Sequence, residues 1–204
     1  MKLDYIGDAL DHWKGSILED LQKANLLRYL TVDAMASDAE SWVDDDWVLY
    51  ARMLRICKQQ IMSHQNHLSN EHSVYIEEII HKGDLFLDPN TGIATCPVKK
   101  TSRPDYLLMS DLRKLLRHDD SRVIAVYQHV RGQQTRCRLN RIVSDLQELD
   151  GSFVCGSYES SVVAMMFLSR NVQRVEFITN HFRALLGRHA DNRVHLWGPL
   201  PQGV

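Results

Sequence analysis

An apolar run that ends on an acid and a proline constrains this chain's fold more than any other segment: Gly83-Asp84-Leu85-Phe86-Leu87-Asp88-Pro89-Asn90-Thr91-Gly92. Three consecutive large apolar residues carry no helical period and suit a strand covered on both faces. The residues that follow are turn chemistry, since proline presets φ and glycine admits a positive one. The segment therefore predicts a buried strand delivering Asp88 to a loop at its carboxyl end, where open α/β sheets build their sites.

Further segments fit around that strand. Residues 26–33 read as a short strand ending on Asp33, followed by the small-residue turn Ala34-Met35-Ala36-Ser37. Residues 122–129 are β-branched and end in polar groups. If the strands are parallel, Gln128 and His129 emerge on the same edge as Asp88. Residues 152–158 and 162–168, joined by Glu159-Ser160-Ser161, read as a hairpin whose second strand is interior.

Helical spacing of apolar residues marks the intervening segments. Leu10, Trp13, Ile17, Leu18 and Leu21 follow the N-cap candidate Asp8; Trp42, Val43, Trp47, Tyr50 and Leu54 follow Ser37. Further helices are expected over 74–80, 106–116, 135–149 and 172–186, with Gly187 stopping the last. These elements predict a compact, Rossmann-like α/β domain over residues 1–190, with a mostly parallel sheet, a terminal β-hairpin, helices on both faces and a loosely held tail over 191–204.

At 204 residues the chain suffices for one well-buried domain, and a formal net charge of −2 gives no global attraction to polyanions. Four cysteines, Cys57, Cys96, Cys137 and Cys155, lack CxxC spacing, which argues against a zinc knuckle or redox pair. With no apolar run of membrane-spanning length and no leader pattern, a cytoplasmic location is expected.

The candidate site residues follow from placement. Asp88, Asn90 and His129 lie where the acidic turn and the neighbouring strand end, and an imidazole there can serve as acid, base or ligand near neutral pH. Asp11 and Lys14 near the start of the first helix are candidates for facing that site. Asp33, an acid between a strand and a tight turn, has the order of a nucleotide-binding first unit, although the glycines of the usual dinucleotide fingerprint are absent. Lys99, Lys100 and Arg103 could neutralise phosphate beside Asp88, and Arg131, Arg136, Arg138 and Arg141 form the only concentrated positive charge. Asp33 and Asp88 together suggest Mg²⁺ or Mn²⁺ ligation in a nuclease or phosphohydrolase. The spacing His64-x-x-His67, with His72 beyond, is compatible with shared metal ligation but is completed by no acid or cysteine pattern, and Asp44-Asp45-Asp46 reads as a solvated helix face.

The order from Gly83 onward, strand, DPxxG turn, helix, strand, helix, hairpin and helix, resembles the carboxyl-terminal half of class I S-adenosylmethionine-dependent methyltransferases. That resemblance implies an acid-proline turn beside methyl donor and acceptor: Asp88-Pro89-Asn90 orients the nucleophile, His129 assists proton transfer, and Asp33, with Asp11 and Lys14, belongs to the donor pocket. Residues 85–92, Tyr106-Leu107, Val126-Tyr127-Gln128-His129 and the opening 7–14 are also similar to uncharacterised bacterial proteins carrying FLDPDxG and VYQH segments. The expected function is a degenerate methyltransferase-like enzyme acting on nucleic acid or a nucleotide. The alternatives are a metal-dependent nuclease or phosphohydrolase and a non-catalytic nucleic-acid- or protein-binding module.

Overall fold

The computed structural model describes residues 1–62, 72–79, 83–130 and 135–198. In chain order the elements are α1 (Ala9–Lys23), β1 (Thr31–Asp33), α2 (Asp44–Met53), α3 (His72–Ile79), β2 (Leu85–Leu87), β3 (Gly92–Ile93), β4 (Tyr106–Leu107), α4 (Met109–His118), β5 (Ile124–His129), α5 (Thr135–Leu149), β6 (Val154–Glu159), β7 (Val163–Ser169), α6 (Val172–Leu186) and β8 (Val194–Trp197). Six strands form one sheet in the order β1-β2-β5-β7-β6-β8, and β3 pairs with β4 separately. β1, β2 and β5 are parallel; β7 runs against β5 and β6, and β8 against β6, so four of the six strands share a direction.

Alternation along the strands builds a core on each side of the sheet. Val32, Phe86, Ala125, Tyr127, Met165 and Phe167 face α1, α2 and α6. Leu85, Leu87, Ile124, Val126, Met166 and Leu168 face α3, α4 and α5. Being covered on both faces explains why β2 and β7 are buried at every position. The expected α/β class with helices on both faces is what the chain adopts.

Several boundaries differ from the expectations. The first strand is only Thr31–Asp33, because residues 25 and 29 take left-handed φ values of 56° and 50° and turn the chain before it. Ser37 does not start a helix. Asp38 instead accepts the Leu3 amide and the Trp42 indole N–H, and α2 begins at Asp44, with Asp46 accepting the Val43 amide. The three aspartates thus occupy its first turn, where negative charge complements the helix dipole, and Val43 is exposed rather than inward. Tyr106 and Leu107 form β4, not the start of a helix.

The expected loose tail is corrected by β8, in which Val194–Trp197 pair with β6 and bury Val194 and His195. Residues 199–204 lie outside the described residues. The four residues Val194-His195-Leu196-Trp197 are too few to carry a strand period by themselves; pairing along β6 makes them a strand.

Gly15 sets the α1–α2 distance, since a Cβ there would lie 2.1 Å from the Met53 carbonyl oxygen. Gly15→Ala must push α2 away from α1, and a loss of about 1–3 kcal/mol is expected from such overpacking. Urea unfolding followed by circular dichroism checks it, and an unchanged midpoint would contradict the close approach.

Candidate functional site at the carboxyl edge

Asp88 follows β2 directly, and its amide bonds the Asp33 carbonyl at 3.0 Å, so the two acids leave neighbouring strand ends. Lys14, projected inward from α1, donates to Asp88 Oδ2 at 2.8 Å and to Asp11 Oδ1 at 2.9 Å, and lies 4.2 Å from the centroid of the Tyr127 ring. The Tyr50 hydroxyl of α2 donates to the same Asp88 oxygen at 2.9 Å. Lys14, Asp11, Asp88 and Tyr50 are all at most 3% exposed.

The electrostatics follow from burial. Desolvation pulls the Lys14 ammonium toward losing its proton, but Asp88 and Asp11 together outweigh it and raise its pKa, so it stays charged. Burial raises the Asp11 carboxyl above its usual range against the pull of Lys14. Burial, then the Asp88 and Asp11 charges, hold the Tyr50 phenol well above its ordinary value, keeping it a donor. The Met1 ammonium donates to the Ala34, Met35 and Asp88 carbonyls, and burial lowers its pKa to about 6.

The sequence-derived candidates thus separate. Asp11, Lys14 and Asp88 are brought together, but as a buried ion-pair network in which Asp88 is already engaged rather than as groups turned to a ligand. Asp33 Oδ1 accepts the Met35 amide at 2.7 Å and also the Tyr75 hydroxyl, an Asx-type turn that holds Met35 at φ 46°. Ligation of Mg²⁺ or Mn²⁺ by Asp33 and Asp88 would require both to leave these partners. Among the described residues, no group of three or more His, Cys, Asp and Glu side chains is placed to hold a metal ion. His64 and His67 lie outside the described residues, as does Arg131.

Gln128 does not emerge at the edge. It is fully buried, accepting the Ile93 amide at 2.7 Å and donating to the His129 carbonyl at 2.6 Å. This clamp explains Gly92, whose φ is 100° and whose Cβ would meet the Gln128 amide at 2.4 Å. Asn90 continues the turn outward and donates to Asp105 at 3.2 Å.

His129 shares the Tyr127 side of β5, its ring set edge-on to that phenol at 4.8 Å. It and Asn90 line both a recess of about 40 Å³ over Asp11, Lys14 and Asp88 and an adjoining cleft of about 410 Å³. Tyr5 lines both as well, and the larger cleft adds Thr91, Thr95, Lys99, Ser102, Tyr106 and Arg138. Arg138 donates to the Ile93 carbonyl at 2.8 Å and to Thr95, bracing the cleft wall. Arg103 lines a neighbouring cleft of about 360 Å³ across the 94–98 loop. Arg136 does not line this cleft: it bonds His195 of β8 at 2.8 Å.

Sequence reasoning missed the site roles of Tyr50, Tyr127, Tyr5 and Tyr106. Tyr50 looked like part of an apolar helix stripe, and its hydroxyl at a buried position was the available signal, because such a group needs a partner. Tyr127 lies two residues before His129, hence on the same strand face.

Lys14→Met would leave Asp11 and Asp88 buried without their cation, a change that costs about 3–5 kcal/mol. In this variant the folded-state Asp11 carboxyl binds its proton more tightly than the unfolded one, so stability should rise as pH falls from 7 toward the ordinary carboxyl range. Asp11, already raised in the parent, sets that direction. Urea unfolding across pH checks both statements, and a stability independent of Lys14 would contradict the network.

No family model matches this chain, nor does any curated protein. Among solved structures it is similar to a Legionella pneumophila str. Philadelphia 1 protein described by the family-model DUF519, with 8% identity, a TM-score of 0.41, and coverage of 94% of this chain and 96% of that one.

Proposed function

We propose that this chain is a degenerate methyltransferase-like protein that engages nucleic acid at the carboxyl edge of its sheet, with the acceptor side kept and the donor side filled. The observation that carries the reading is the cleft of about 410 Å³ beside the Asp88-Pro89-Asn90 turn. It combines a lysine, three hydroxyl side chains, two tyrosines and an imidazole. Cations and hydroxyls suit phosphates, and aromatic rings suit unstacked bases. Asn90 and His129 at the inner end offer hydrogen bonds to a base edge.

The residues at the donor side do not fit S-adenosylmethionine. Ala34, Met35 and Ala36 are fully buried, Asp33 holds its own turn, and the recess beside Asp88 has only about 40 Å³. Small-molecule pockets are roughly 300–1,000 Å³. No methyl-transfer step is therefore derived. Asp88 holds the turn through Lys14 and Tyr50, while contact with the ligand falls to Asn90, His129, Tyr5 and Lys99.

Fluorescence anisotropy with a labelled single-stranded oligonucleotide tests this reading. Affinity should fall with salt, log K changing by about −0.7 per phosphate contacted per log unit of salt, and Lys99→Glu should reduce that slope by about one contact. Tyr5→Ala should cost about 1–3 kcal/mol of binding through lost stacking. Salt-independent binding, or full affinity in both variants, would refute it. Calorimetry with S-adenosylmethionine should give no heat; a saturable heat would reopen the donor side and restore methyl transfer.

A further inference from the structure

The opposite edge of the sheet carries a second cleft, of about 440 Å³, where the strands β2 and β5 begin. Its walls come from residues 25–29, the starts of β2 and β5, and the first turns of α6. That volume lies within the range of small-ligand sites.

The polar lining has an excess of positive charge: Arg28, Arg122 and Arg174 against Asp84 and Asp119. Both acids have local partners. Asp84 takes both arms of Arg174 at 2.8 Å together with the amides of Arg28 at 2.6 Å and Val123 at 2.9 Å. Asp119 Oδ1 accepts the Ser121 amide at 2.8 Å and hydroxyl at 2.7 Å. Arg174 also donates to the Ser121 and Leu26 carbonyls, so it serves as a strut. Arg28, exposed, and Arg122, only 3% exposed and close to Asp119 and Asp84, also line the cleft. Burial lowers the pKa of Arg122 despite Asp119 and Asp84, so an incoming anion would stabilise its charge.

Two aromatic rings complete the cleft. Tyr29 is 93% exposed and Phe177 is 60% exposed. Tyr29 is held in the left-handed region, with φ 50°, a conformation that costs a non-glycine residue free energy. Its backbone presses on Gly83, where a Cβ would lie 2.7 Å from the Tyr29 carbonyl oxygen. The preceding Arg28 is locked to Asp84 through backbone bonds in both directions. An exposed phenol is thus carried on a strained but firmly tied turn.

We propose that this second cleft binds a mononucleotide, its phosphate against Arg28 and Arg122 and its base against Tyr29 and Phe177. Guanidinium groups recognise phosphate through directed, charge-assisted hydrogen bonds, and aromatic faces accept a base without needing its sequence. The site is independent of the carboxyl-edge cleft and of the reading given to it.

Calorimetry on the full chain, with adenosine monophosphate, adenosine and inorganic phosphate as separate probes, tests the proposal. The monophosphate should bind about tenfold or more tightly than either part, since both halves of the cleft then contribute. Arg28→Glu should weaken it about tenfold or more, and Phe177→Ala several-fold without changing phosphate binding. Both side chains are exposed, and the bonds of Arg28 to Asp84 run through its backbone, so both variants should keep the parent circular dichroism spectrum. Lys99→Glu, at the other cleft, should leave monophosphate binding intact. No heat at millimolar monophosphate, equal binding in Arg28→Glu and Phe177→Ala, or loss in Lys99→Glu would each overturn the assignment. So would oligonucleotide binding that depends on Arg28 while the mononucleotide is silent.

Discussion

A lysine ammonium held away from water between two carboxylates is the contact on which the carboxyl edge depends. Burying such a charge costs several kcal/mol unless its partners are close and well oriented. Lys14 has Asp88 at 2.8 Å, Asp11 at 2.9 Å and the face of Tyr127 beneath it. Tyr50 adds a hydroxyl to the same Asp88 oxygen. The network joins α1, α2, β5 and the end of β2, so the position of the acidic turn is set by all four at once. The same engagement holds Asp88 Oδ2 between a lysine and a tyrosine.

Strand β2 has a related arrangement at its other end. Asp84 precedes it and Asp88 follows it; both are nearly fully buried, and each is paired with a cation from a helix, Arg174 of α6 or Lys14 of α1. A three-residue central strand has few ladder bonds of its own, and the two ion pairs anchor it beside β1 and β5. At both ends a cleft lies next to the anchored acid. Asn90, His129 and Lys99 line the one at the carboxyl edge, and Arg28, Arg122 and two aromatic rings the one at the amino edge.

Much of the architecture was legible in the sequence because its cause is local. Asp8 caps α1 through the Leu10 and Asp11 amides, and the apolar spacing after it gives the helix its buried stripe. The β-branched 122–129 segment, the hairpin and α6 followed from the same kind of signal. The start of α2 lies beyond Ser37 because Asp38 is engaged by Leu3 and Trp42. β8 escaped notice because its pairing depends on an edge about forty residues earlier in the chain.

The sequence by itself determined an α/β chain with an acid, a turn and an imidazole delivered near one rim, since hydrophobic period and turn chemistry are properties of neighbouring residues. Only the tertiary structure decided what those residues do there. Whether a carboxylate is open to a ligand or clamped by a lysine 74 positions away depends on which helix packs over it. Likewise Gln128 became a buried clamp and His129 a cleft residue, although they are adjacent, because a strand sends successive side chains to opposite faces.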